Sequence, residues 1–193
     1  MLGTPLLESM KNRRSILVLI LCSMLYMPQI FAREEFNEIN VKAGFIRSFI
    51  AFTSWPASAS PQQETQFLLC VIGEDPYSKI FETAPKSGIR GRRLVVKQLS
   101  KENSNSEFEK CHVLILRQKR KKKPIDFFQR FSELPILTIS EFQNDNDHGS
   151  MINMARQKNK IVFSINRSPS DKVGIQFRSK LLRLATKVNG GEE

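Results

Sequence analysis

Only three cysteines, two histidines and one tryptophan occur in the 193 residues, and this scarcity already removes several kinds of chemistry. His112 opens an apolar run and His148 lies in Asn144-Asp145-Asn146-Asp147-His148, so the two make no spaced ligand motif. No serine stands in a Gly-x-Ser-x-Gly elbow and no lysine in a phosphate-binding loop. Gly88 and Gly91 do not follow a strand and open a helix, as a dinucleotide fingerprint would, and read as a turn into a strand. Nucleophile, base and orienting group are not assembled, so the sequence predicts no catalytic residue, no resident metal and no cofactor. One metal alternative is His148 with Asp145 and Asp147, against an ordinary solvated loop of common turn residues. Nine glycines and nine prolines exclude a collagen-like or low-complexity chain, and the 40% hydrophobic and 25% charged content predicts one globular domain.

What is present in excess is positive charge. Thirty Lys plus Arg against nineteen Asp plus Glu leave a net +11, which points to nucleic acid, lipid head groups or an acidic protein surface. Lys11, Arg13 and Arg14 precede the apolar run Ile16 to Met27, too short to span a bilayer comfortably and followed by Ile30-Phe31-Ala32. That is the layout of a signal peptide. The reading places a leader at 1–32, a cut between Ala32 and Arg33, and an exported mature domain at 33–193; an uncleaved anchor is the alternative. A lipoprotein is a weaker reading, because Leu21 stands where a small residue would precede Cys22.

Export argues against nucleic acid as the partner of Arg117-Gln118-Lys119-Arg120-Lys121-Lys122-Lys123, although clustered cations do release counterions from a phosphate backbone. Few aromatics interleave with that run, so it offers no stacking platform. It reads either as a solvated loop or as a contact with an anionic membrane surface or acidic partner, at about 1 kcal/mol per cation near a charged membrane.

Without Cys22, two cysteines remain, Cys70 and Cys111, and an oxidising compartment favours a bridge worth roughly 2–4 kcal/mol across a loop of about 40 residues. The other reading is a pair of buried thiols, since both lie in apolar runs.

Val41, Phe45, Ile46, Phe49, Ile50 and Phe52 mark one face of a helix that ends near Trp55-Pro56. Strands are expected at Phe67–Gly73, Arg92–Leu99, His112–Arg117 and Pro135–Ser140, and short helices at Pro76–Thr83 and Pro124–Phe131. Near-continuous apolar runs such as Val113-Leu114-Ile115-Leu116 require cover on both faces, which predicts an α/β fold with a mostly parallel sheet flanked by helices. In a doubly wound order the first and third strands, carrying Cys70 and Cys111, are neighbours. Met151–Met154 and Ile161–Ile165 flank the polar Arg156–Lys160 as a β-hairpin. Ser168-Pro169 can open a helical turn ended by Gly174, and Phe177, Leu181, Leu184, Ala185 and Val188 predict one face of a terminal helix.

In order along the chain, Val41-Lys42-Ala43-Gly44-Phe45 through Trp55-Pro56, Leu69-Cys70-Val71-Ile72-Gly73-Glu74-Asp75-Pro76, Gly91-Arg92, Cys111-His112-Val113-Leu114, Leu137-Thr138-Ile139-Ser140, Gly149-Ser150-Met151-Ile152-Asn153, Phe163-Ser164-Ile165-Asn166 and Ser179-Lys180-Leu181-Leu182-Arg183-Leu184-Ala185 resemble the YfiR family of periplasmic regulatory proteins. The resemblance spans about Ile39 to Val188. It implies a non-enzymatic exported protein that represses or tunes an inner-membrane signalling protein, in the best-known case a diguanylate cyclase making cyclic di-GMP. It also supports the Cys70–Cys111 bridge, because these positions match a cysteine pair of the family. Gly44 departs from the usual alanine, Ser150 from the second glycine of a Gly-Gly pair, and a second cysteine pair near Ser140–Gly149 has no counterpart.

Candidate partner-binding residues are Trp55, at a helix end where it could be partly exposed, and Arg178, Ser179 and Lys180 at the start of the last helix. A homodimer is left open. The rival reading is a sensor module for a small periplasmic ligand, bound at the carboxyl ends of the strands.

Overall fold

The apolar runs of the sequence become a seven-stranded sheet with a separate core on each face. The computed structural model describes residues 28–59, 65–84, 88–117, 125–142 and 149–190. The chain divides into two units, Met1–Glu38 and Ile39–Glu193. Helix α1 covers Pro28–Phe52, followed by β1 (Thr53–Ser54), β2 (Gln66–Ile72), α2 (Ser78–Glu82), β3 (Arg93–Leu99), α3 (Asn105–Phe108) and β4 (Val113–Arg117). Then come α4 (Ile125–Gln129), β5 (Leu137–Glu141), β6 (Ile152–Gln157), β7 (Lys160–Asn166), α5 (Arg167–Lys172), β8 (Gln176–Phe177), α6 (Ser179–Leu182) and β9 (Lys187–Asn189).

Strand order is β3-β2-β4-β5-β6-β7-β9. Within this sheet every pairing is parallel except the β6–β7 hairpin. The fold is therefore α/β with a mostly parallel sheet, and the first and third strands of the sequence pattern, β2 and β4, are neighbours.

Period-two alternation distributes the apolar runs. Phe67, Leu69 and Val71 of β2 and Val113 and Ile115 of β4 join the core that contains Ile46, Phe49 and Ile50 of α1. Cys70, Ile72, Leu114 and Leu116 point the other way, into a second core with Phe108 of α3 and Phe127 and Phe128 of α4. Hence the continuous hydrophobicity of these strands: neither face meets water.

Glycine is required where β2 turns toward α2. Gly73 has φ +101°, and a Cβ there would lie 2.3 Å from the Arg117 carbonyl oxygen. Asp75 then opens α2, its Oδ1 accepting from the Tyr77 and Ser78 amides at 2.8 and 3.2 Å. The two departures within α1 and the β5–β6 connection are accommodated. A Cβ at Gly44 would meet nothing within 4 Å, and buried Ser150 bonds Ser140 Oγ at 2.7 Å and the Ile152 carbonyl at 3.0 Å.

The terminal helix is shorter than its apolar spacing predicts. Phe177 lies in β8 and Val188 in β9, leaving only Ser179–Leu182 helical. The cause is the open edge of β7, which takes Lys187, Val188 and Asn189 as parallel partners of Ser164, Ile165 and Asn166. Leu184 is consequently 62% exposed. The hairpin strands also run further than expected: Arg156 pairs with Ile161 and Gln157 with Lys160, so only Lys158 and Asn159 form the turn. Asn166, not Ser168, caps α5, its side chain accepting from the Ser168 amide.

Candidate functional site

Two polar clusters occupy opposite ends of the parallel strands. At the amino ends, α1 finishes at Phe52, where its last carbonyls lack helical donors. Arg90 supplies them. Its Nε donates to the Ala51 carbonyl at 3.1 Å, and its Nη2 to the Ala51 and Thr53 carbonyls, the latter at 2.9 Å. A cation at a helix C-terminus also meets the negative end of the macrodipole. Arg90 is delivered by a tight turn in which Ile89 and Arg92 exchange backbone hydrogen bonds of 2.8 and 3.0 Å, with positive φ at Arg90 (51°) and Gly91 (76°).

The same corner receives β8. Thr53 and Ser54 pair antiparallel with Phe177 and Gln176, and the Arg178 amide donates to the Phe52 carbonyl at 2.9 Å. This two-stranded ribbon brings Trp55 and the segment Arg178-Ser179-Lys180 to one corner, with all three residues of that segment exposed. Lys180 Nζ lies 5.4 Å from the Phe52 ring centroid and the Arg92 guanidinium 5.5 Å from that of Phe67. Trp55 corrects one expectation. It is 8% exposed and packs on the Phe67 ring at 5.7 Å, so it is part of the core and not a projecting anchor. Its indole N–H is buried without an acceptor among the described residues. Arg90 and Arg92 escaped the sequence reading; the glycines spaced around two arginines carried the signal, but only as a turn.

At the carboxyl ends, Glu141, the last residue of β5, receives three donors from three other segments. Lys42 Nζ of α1 is 3.0 Å away, Arg117 Nε of β4 is 3.1 Å away, and the Tyr77 hydroxyl donates to the other oxygen. Side-chain exposure is 4% for Glu141, 12% for Lys42 and 18% for Arg117. Beside them Asn153 Oδ1 accepts from Ser140 Oγ at 2.9 Å and from the Phe142 amide at 3.4 Å. In open α/β sheets this end takes ligands. Here Lys42, Arg117 and Tyr77 converge on a carboxylate of the chain itself.

Cys70 of β2 and Cys111, just before β4, are bonded with Cα atoms 5.9 Å apart. Next to the bridge His112 stitches the strands. Its backbone N–H donates to the Leu68 carbonyl and its Nδ1 accepts from the Leu68 amide, both at 3.0 Å. Replacing His112 by alanine removes that acceptor, with an expected loss of about 1–3 kcal/mol. His112→Asn retains an acceptor at nearly the same reach and is expected to lose much less. Urea midpoints measure both; equal losses would show that the hydrogen bond contributes nothing.

Among the described residues no group of three or more His, Cys, Asp or Glu is placed to hold a metal ion, and no helix is long and apolar enough to cross a membrane. His148 with Asp145 and Asp147, residues 118–123 of the basic run, and the leader core Ile16–Met27 lie outside the described residues. The expected junction Ala32–Arg33 falls within the span of α1.

A family model described as YfiR/HmsC-like matches residues 39–186. No curated protein matches the chain significantly. Among solved structures, an O-acetylhomoserine sulfhydrylase of Wolinella succinogenes is similar at 8% identity with a TM-score of 0.37, over 59% of this chain and 35% of that one. The chain spans about a third of that enzyme's length, and so distant a likeness carries no argument about activity.

Proposed function

The chain belongs to the YfiR/HmsC-like family, and on that membership we propose that it is a non-enzymatic periplasmic regulator. In this reading it represses or tunes an inner-membrane signalling protein of the diguanylate cyclase type by binding that protein's periplasmic domain. A regulator can act only through unequal affinity for two states of its target, so it must grip one conformation of that domain more tightly than the other. The leader at 1–32, cut between Ala32 and Arg33, is part of the proposal, and N-terminal sequencing of the exported protein tests it.

The observation that carries the reading is the family match across 39–186, nearly the whole Ile39–Glu193 unit. The gathering of exposed Arg178, Ser179 and Lys180 beside the end of α1 at Phe52 supports a protein-binding corner. The rival reading, a small-ligand sensor at the carboxyl ends of the strands, is disfavoured because Glu141 already occupies the convergence point of Lys42, Arg117 and Tyr77. Deleting the gene is expected to change cellular cyclic di-GMP severalfold, and restoring the intact chain to reverse the change. Unchanged cyclic di-GMP in the deletion would end the proposal. A melting shift caused by a small ligand alone, without a protein partner, would favour the rival.

A further inference from the structure

The corner at Ala51–Trp55 collects cations that the described fold does not neutralise. Arg90, Arg178 and Lys180 are exposed and Arg92 is half-buried. Among the described residues none of the four enters an ion pair. Burial, followed by the charges of Arg178 and Arg92, lowers the pKa of Arg90 below the ordinary guanidinium value.

Three of the four cationic side chains are also held in place, and Arg178 through its backbone alone. Arg90 is fixed by the Ala51 and Thr53 carbonyls, Arg92 lies over Phe67, Lys180 lies over Phe52, and the Arg178 backbone is tied to Phe52. Trp55, which shares the Phe67 ring with Arg92, adds a buried N–H without an acceptor among the described residues. Buried donors are nearly always satisfied, and an exception calls for an explanation such as a missing partner.

We propose that this corner docks a run of Asp and Glu carboxylates on the external domain of the signalling partner. The proposal rests on the regulatory reading above and names the chemistry of its binding surface. Arg92 and Arg178 present planar guanidinium forks of the kind that suit carboxylates, while Arg90, whose Nε and Nη2 are engaged by the Ala51 and Thr53 carbonyls, adds a fixed positive charge beside them. A lipid surface would instead be met by a basic face beside large apolar side chains that insert among the acyl chains. Among the described residues the exposed large apolar side chains are Val41, Leu184 and Val188, and of these Leu184, four residues beyond Lys180, is the one that adjoins this segment, short of an apolar face.

The test uses the exported protein with labelled poly-L-glutamate, and separately with vesicles of phosphatidylcholine and phosphatidylglycerol. Polyglutamate is expected to bind the native chain at low salt and to release as salt rises. Arg178→Glu combined with Lys180→Glu should weaken binding about tenfold or more, while Lys158→Glu with Lys160→Glu, at the hairpin tip, changes it by about twofold or less. Both variants alter exposed residues, and unchanged melting checks that they fold. Absence of polyglutamate binding, equal losses in the two variants, or binding to the vesicles alone would overturn the proposal, the last by assigning the corner to a membrane.

In cells, the Arg178/Lys180 variant should fail to restore cyclic di-GMP to a deletion strain. Full restoration would overturn the docking corner and leave the regulatory reading standing. A deletion without effect on cyclic di-GMP would remove the regulatory reading and leave the polyglutamate result in place.

Discussion

Replacing Glu141 by alanine should cost about 3–5 kcal/mol of stability, because Lys42 and Arg117 are left facing one another with little access to water. The sign follows from the asymmetry of buried ion pairs. An intact pair gains little over a well-packed apolar substitute, since desolvation offsets most of the attraction, whereas an orphaned buried charge keeps the penalty and loses the compensation. Lys42 and Arg117 are 12% and 18% exposed, deep enough for this to hold although not fully dry. Combining Lys42→Met, Arg117→Met and Glu141→Leu should therefore destabilise less than Glu141→Ala alone. The measurement is the urea midpoint of each variant, with the denaturant slope checked for constancy. If the triple substitution loses as much as the single substitution or more, the three charges are not coupled as their geometry requires.

Loss of the Cys70–Cys111 bridge should cost about 2–5 kcal/mol, the range for a native disulfide in a small domain. The cysteines are 41 positions apart, so the bond closes a long loop in the unfolded chain and removes conformations from that state above all. The sulfurs also fill space, since Cys70 and Cys111 are 0% and 3% exposed among Leu114, Phe108 and Phe131. Cys70→Ala with Cys111→Ala thus adds a small packing loss to the entropic one. Reduced native protein, keeping both thiol side chains in place, separates the two effects: it should lose the chain-entropy part alone. A denaturation midpoint that does not move on reduction would mean that the bridge holds nothing the sheet does not already hold. On the regulatory reading, the same reduction weakens repression by lowering the stability of the binding-competent domain.

What could be read from the sequence and what could not divides along physical lines. Val113-Leu114-Ile115-Leu116 reads as a strand covered on both faces because the run is short, rich in β-branched residues and continuously apolar. The β2–β4 adjacency followed from common strand order, and with it the nearness of Cys70 and Cys111. By contrast, Leu181, Leu184, Ala185 and Val188 have helical spacing, yet Val188 joins β9 because an unpaired strand edge competes for its backbone. The strand extension through Arg156 and Gln157 was hidden by polarity, since beyond the core a hairpin can continue with both faces in water.

The charged clusters were the least legible. Lys42 and Arg117 lie 99 and 24 positions from Glu141, and nothing short of the topology joins them. Arg90 takes a left-handed conformation that its residue type gives no reason to expect. Trp55 was visible as the end of a helix, but its burial depends on Phe67 of the next strand. Arg178 to Lys180 stand out in the sequence only as candidates by position, and Arg90 and Arg92 come near them only through the fold.

The β1–β8 ribbon ties Thr53 to Phe177, nearly the two extremes of the Ile39–Glu193 unit. Pairing so distant in sequence closes late, after the intervening chain has lost most of its freedom. During synthesis, which runs from the amino terminus, the helix end and the Arg90 turn exist well before their last neighbour has been made. A chain stopped short of Phe177 would own Trp55 and Arg90 without the strand that sets Arg178 beside them, so the corner is a property of the finished polypeptide.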